Sequence, residues 1–134
     1  MNFLVDTSVW SLALRRSEPG AEREVARLRE ALFARESIYT TGLILQELLQ
    51  GFRGPRQRAA ILRRFSALPA IAPDRNDHIE AAEVRNRCRR NGVQLGTIDA
   101  LLAQLAIRHE LVLLTTDQDF IHAAAHVPLK VWRS

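Results

Sequence analysis

Short apolar runs and amphipathic stretches alternate along the chain. Phe3 to Val5 is an apolar run that stops at Asp6, the pattern of a buried strand. Thr7 to Leu14 reads as a helix, with Asp6, Thr7 or Ser8 as its cap. Ser17 to Gly20 breaks the pattern. From Ala21 to Ala34, Val25, Leu28 and Leu32 recur on one helical face. Ser37 to Thr40 predicts a brief second strand, and Thr41 to Phe52 a helix closed by Gly51 and Gly54-Pro55. Arg56 to Ala67 predicts a further helix, and Leu68 to Ala72 a short strand at best. Asn76 to Arg90 is helical and ends at Asn91-Gly92. Thr97 is placed to cap a helix running to about His109. Leu111 to Thr116 is a strongly apolar strand, Asp117 to Ala125 a short helix, and Leu129 to Trp132 a last strand.

Strands that alternate with helices argue for βα units, hence a parallel sheet with helices on both faces. In such sheets the functional site lies at the carboxyl ends of the strands. The 134 residues suit a single domain, 1–134, with no internal repeat. A hydrophobic fraction of 47% and a charged fraction of 25% are ordinary for a globular chain and exclude a disordered one. The longest apolar runs fall far short of the roughly 20 residues that span a bilayer. The start, MNFLVDTSVW, has no basic leader and is interrupted by Asp6, so no signal peptide is expected. Cys88 is the single cysteine, which leaves no intrachain disulfide. A cytoplasmic setting is therefore expected.

Charge changes the picture modestly. The net charge is +4, and every basic residue except Lys130 is an arginine. Arginine forks pair with phosphates, which points to a polyanionic partner such as nucleic acid; a compositional preference for arginine explains the same count. Arg85, Arg87, Arg89 and Arg90 stand on one predicted helix, either to steer RNA or as a solvated face.

The acids are more informative. Two predicted strands end in one: Asp6 after Phe-Leu-Val, and Asp117 after Leu-Val-Leu-Leu-Thr-Thr, with Asp119 just beyond. In one parallel sheet both would reach the same edge, although each is also placed to cap a helix. At about 100° per residue, Glu47 falls between Leu43 and Ile44, inside the apolar arc of its helix. Asp99 lies similarly among Leu102, Ala103, Ala106 and Ile107. Either could be explained alone, Glu47 by an arginine partner and Asp99 by the helix dipole. Together they imply like charges drawn close, which destabilises a fold unless a cation joins them. Oxygen ligands suit hard ions such as Mg²⁺ or Mn²⁺. His78, His109, His122 and His126 are scattered, without zinc spacing.

These segments resemble the PIN-domain family, and within it the VapC-type toxins of toxin–antitoxin pairs. The matching pieces are FLVDTSVW with Asp6, LILQELLQGF with Glu47, and LGTIDALLAQLAIRHELVLLTTDQDF with Asp99, Asp117 and Asp119. They cover essentially the whole chain in order. The resemblance implies an α/β/α sandwich around a parallel sheet of four to five strands. It implies a Mg²⁺- or Mn²⁺-dependent endoribonuclease whose ligands are Asp6, Glu47, Asp99 and Asp117, with Asp119 as the alternative or additional fourth. Thr7, Ser8 and Thr116 look like hydroxyls that orient the carboxylates or metal waters. Implied partners are an RNA substrate (tRNA, rRNA or mRNA), a VapB-like antitoxin and a second copy of the chain, with no membrane. The apolar faces of the Ala21 and Arg56 helices fit either an antitoxin helix or the sheet. A non-catalytic PIN-like module that binds RNA or a partner is the alternative function. Phosphoacceptor folds fit poorly, because Thr7 and Ser8 follow Asp6 where a second acid would be needed.

Overall fold

The computed structural model describes residues 1–15 and 23–133. The expected break at Ser17 to Gly20 and the helix start at Ala21 lie outside the described residues. Five strands form one parallel sheet: β1 (Asn2–Val5), β2 (Ser37–Thr41), β3 (Ala70–Ile71), β4 (Val112–Leu114) and β5 (Lys130–Val131). Their order is β3-β2-β1-β4-β5. Phe3, Leu4 and Val5 are fully buried, as a central parallel strand covered on both faces requires. The chain builds outward from β1 through β2 to β3, then returns to β4 on the other side of β1. That reversal makes the carboxyl ends of β1 and β4 a topological switch point, where α/β sheets open a crevice.

The helices are α1 (Thr7–Leu14), α2 (Arg23–Phe33), α3 (Gly42–Gly51), α4 (Pro55–Ser66), α5 (Arg75–Arg90), α6 (Thr97–Arg108) and α7 (Gln118–Ala123). They flank the sheet as an α/β/α sandwich. α6 is buried almost all round from Ala100 to Ala106, because it packs against both α5 and β4. The apolar faces of α2 and α4 turn inward: Val25, Leu28, Ala31, Ile61 and Phe65 are core residues, and Phe65 meets Trp10 of α1 at 5.0 Å between ring centroids. A cleft of about 350 Å³ remains where Leu14, Phe52 and Ile61 meet.

Helix ends depart from the sequence expectation in instructive ways. α5 stops as expected: Gly92 has φ 79°, and the Val93 N–H donates to Cys88 O at 2.9 Å. α2 and α6 stop the same way without glycine, at Arg35 (φ 56°) and Glu110 (φ 54°). The Glu36 and Leu111 N–H groups then donate to Ala31 O and Ala106 O, both at 2.9 Å. Thr97 does not cap α6. Gly96 holds the cap position, no side chain caps the helix, and Thr97 is its first residue. α5 begins one residue earlier than expected, because Asp74 and Asp77 form a reciprocal capping box. Arg108 at the end of α6 joins that box, at 2.8 Å from Asp74 Oδ2 and 3.2 Å from the fully buried Asp77.

Candidate active site

Asp6 is the residue at which β1 becomes α1. Its N–H extends the sheet ladder to Leu114 O at 2.9 Å, and its carbonyl accepts from Val9 and Trp10 at the start of α1. It occupies the cap position, yet its side chain caps nothing. The carboxylate is instead engaged by hydroxyls. Ser8 Oγ and Thr115 Oγ1 both donate to Asp6 Oδ2 at 2.8 Å. Those hydroxyls are themselves oriented: Ser8 Oγ accepts from the Thr116 N–H at 3.2 Å, and Thr115 Oγ1 from the Asp117 N–H at 3.0 Å. With both protons committed to one oxygen, the plane of the carboxylate is fixed. Burial, with 7% of the residue exposed, raises the Asp6 pKa above its usual value. The two hydroxyl bonds oppose that rise, and the Asp117 charge adds to it.

Glu47 lies on α3. Thr41 ends β2 and caps this helix by accepting from the Ile44 N–H, which starts α3 at the same sheet edge. The half-buried Glu47 carboxylate receives the Thr7 hydroxyl at 2.7 Å, rather than an arginine. Asp99 stands in the first turn of α6. Asp117 follows β4 and caps α7, accepting the Asp119 N–H at 2.9 Å. Asp119 is exposed beside it.

Asp99 ties the cluster together. Its pKa is pushed up to about 6, first by burial, then by the charges of Asp6, Asp117, Glu47 and Asp119. The five acids expected from sequence therefore share one electrostatic site, although they come from separate segments of the chain. Among the described residues, no three His, Cys, Asp or Glu side chains converge closely enough to cage an ion unaided. The arrangement would suit a hard divalent ion that keeps several of its waters, since such ions need only one or two direct carboxylate ligands. The donor set is all oxygen, and the mutual repulsion is what a divalent cation would relieve.

Of the expected hydroxyls, Thr7 and Ser8 hold Glu47 and Asp6. Thr116 enters through its backbone N–H, while Thr115 supplies the hydroxyl to Asp6. The Thr115 contact follows from strand register. Val5 pairs with Leu114, which puts Asp6 beside Thr115 one step on. The histidines stay apart from this edge: His78, His109 and His122 are exposed, and His126 is partly so. Arg87, Arg89 and Arg90 are exposed on α5, whereas Arg85 donates to Leu95 O at 2.8 Å and holds the loop before α6.

A family model described as the PIN domain matches residues 3–126. Ribonuclease VapC11 of Mycobacterium tuberculosis is 33% identical over 119 residues, 87% of either chain. A VapC ribonuclease of Mycobacterium bovis matches to the same extent. Among solved structures, VapBC2 from Rickettsia felis bound to a DNA fragment from their promoter is similar at a TM-score of 0.74. Identity there is 21%, over 98% of both chains. VapC20 of M. tuberculosis, a Sarcin-Ricin loop cleaving toxin, gives a TM-score of 0.68 and 18% identity over 96% of this chain and 98% of that one. At these identities the structural likenesses show a shared fold.

Proposed function

The chain belongs to the PIN-domain family, and from that premise we propose that it is a Mg²⁺- or Mn²⁺-dependent endoribonuclease, the toxin of a toxin–antitoxin pair. The observation that carries this reading is Asp99, held near a pKa of 6 by burial and by four other carboxylates at one sheet edge. An acid cluster with that much repulsion has a physical reason to exist when it holds a cation and meets a phosphodiester. The ribonuclease names of the curated relatives support the substrate class.

Asp6, Glu47, Asp99 and Asp117 would hold the ion, with Asp119 at the margin. The chemistry such an ion supplies when bound is Lewis acidity, which activates the attacking water near neutral pH and offsets phosphate charge. The chain's own part is orientation. Ser8 and Thr115 fix the Asp6 carboxylate, and Thr7 fixes Glu47. The hydroxyl protons of Ser8 and Thr115 are donated to Asp6, so these groups serve as orienting donors. Burial and the neighbouring carboxylates push the Asp99 pKa up to about 6, so this carboxyl holds its proton well above the usual carboxylate range.

The remaining elements of the reading are a cytoplasmic setting, a homodimer and a VapB-like antitoxin. No helix among the described residues is long and apolar enough to cross a membrane. VapBC and FitAB assemblies among the solved structures of similar fold support an antitoxin partner. The cleft at Leu14, Phe52 and Ile61 offers it an apolar seat.

Purified, antitoxin-free protein should cut total RNA or transfer RNA with Mg²⁺ or Mn²⁺ and not with EDTA. Asp99→Asn should abolish the cuts. Full cleavage by that variant, or by wild type in EDTA, would overturn the assignment.

A further inference from the structure

Beside the carboxylates lies a second feature of opposite chemistry. A cleft of about 320 Å³ opens between the start of α2, the end of β4 and the end of β5. That volume is within the roughly 300–1,000 Å³ of clefts that hold small ligands. Its walls include Thr115, whose hydroxyl is bonded to Asp6 at 2.8 Å, so the cleft is one side chain away from the acid cluster. Trp132 and Arg133 form the β5 side. Trp132 is half-buried, packed on one side against the core and open to the cleft on the other, with its backbone N–H fixed to Leu113 O at 2.9 Å. Arg133 is exposed and makes no ion pair among the described residues. Thr116 and Gln118 add a hydroxyl and an amide to the lining.

This combination matches one nucleotide of a single strand. An anchored indole face stacks on a base, an arginine fork takes a phosphate, and an amide reads a base edge. The neighbouring acids repel RNA phosphates, so a strand crossing the acid site needs a cation next to it. The α2 side mixes Arg23 with Glu24, which assigns the phosphate to Arg133. Resting on the ribonuclease reading, we infer that this cleft is the subsite for the nucleotide adjoining the scissile phosphate, with its base on Trp132 and its phosphate on Arg133.

The test is binding of a fluorescein-labelled RNA hexamer to the full chain in EDTA, followed by anisotropy. Trp132→Ala should weaken binding by about tenfold and Trp132→Phe should restore most of it. An abasic hexamer should be insensitive to Trp132→Ala. Arg133→Gln, on an exposed side chain with no ion pair among the described residues, should weaken binding and lower the salt slope by about 0.7. Unchanged binding by Arg133→Gln, with Trp132→Ala also unchanged or unfolded, would overturn the subsite. An abasic hexamer that loses as much as the normal one on Trp132→Ala would do the same. These outcomes are separable from the parent reading. RNA bound in this cleft but never cut leaves the subsite and removes the nuclease; metal-dependent cutting with the subsite variants unaffected does the reverse.

Discussion

Asp6 and Asp99 show how differently one site treats a buried and a half-buried acid. Asp6 is the more buried, but two hydroxyl donors on one oxygen stabilise its charged form. For Asp99 the largest influences all raise the pKa: burial first, then the charges of four acids. Its carboxyl titrates near 6 in the folded protein against 3.8 in the ordinary case. A raised acid binds its proton more tightly when folded, so the penalty is absent below about 3.8, grows between the two values and is complete above 6. Without metal, Asp99→Asn should therefore stabilise the protein at pH 7.5 by about 1 kcal/mol after solvent screening, and by nothing measurable at pH 4. Urea unfolding in EDTA at the two pH values checks this; equal effects at both would contradict it. Glu47 and Asp99 were legible in the sequence, because a carboxylate within a helix's apolar arc is conspicuous. Thr115 was not. Thr115 and Thr116 are adjacent and chemically alike, and only the alignment of β1 with β4 decides which hydroxyl faces Asp6.

At the scale of elements, the order of strands and helices was legible from periodicity, while the ends were legible only where residue chemistry is distinctive. Gly92 announces the end of α5. Arg35 and Glu110 do the same job for α2 and α6 without any sequence signal, since they adopt the left-handed region at an energetic cost. Glu110→Gly should accordingly raise stability by about 0.5–1 kcal/mol, the strain relieved less the added chain entropy, read as a higher urea midpoint at unchanged slope. The start of α5 was missed by one residue because its capping box uses Asp77 where Glu or Gln is usual. That box also carries a tertiary load. Arg108 ties Asp74 and the buried Asp77 to the far end of α6. Arg108→Ala leaves Asp77 buried without its cation and should cost about 2 kcal/mol, reduced from a fully buried pair because the arginine is partly exposed. Thermal unfolding of that variant would show it as a drop of several degrees.

For the whole molecule, the chain's return across the sheet decides the site. β1 and β4 become neighbours although more than a hundred residues separate them, and their carboxyl ends bring Asp6 and Asp117 to one crevice. α3 and α6 add Glu47 and Asp99. Periodicity predicts a parallel sheet but not its strand order; the acids themselves were the better guide to which ends meet. The expectation of four to five strands resolves to five, with β3 and β5 only two residues each. The central claim is that these carboxylates form one cation site. Calorimetric titration of Mn²⁺ into the metal-free protein at pH 7.5 and pH 5 addresses it most directly. Binding at pH 7.5 should be clearly tighter than at pH 5, where Asp99 is protonated, and should be largely lost in Asp99→Asn. Equal Mn²⁺ affinity in wild type and Asp99→Asn at pH 7.5 would contradict the account.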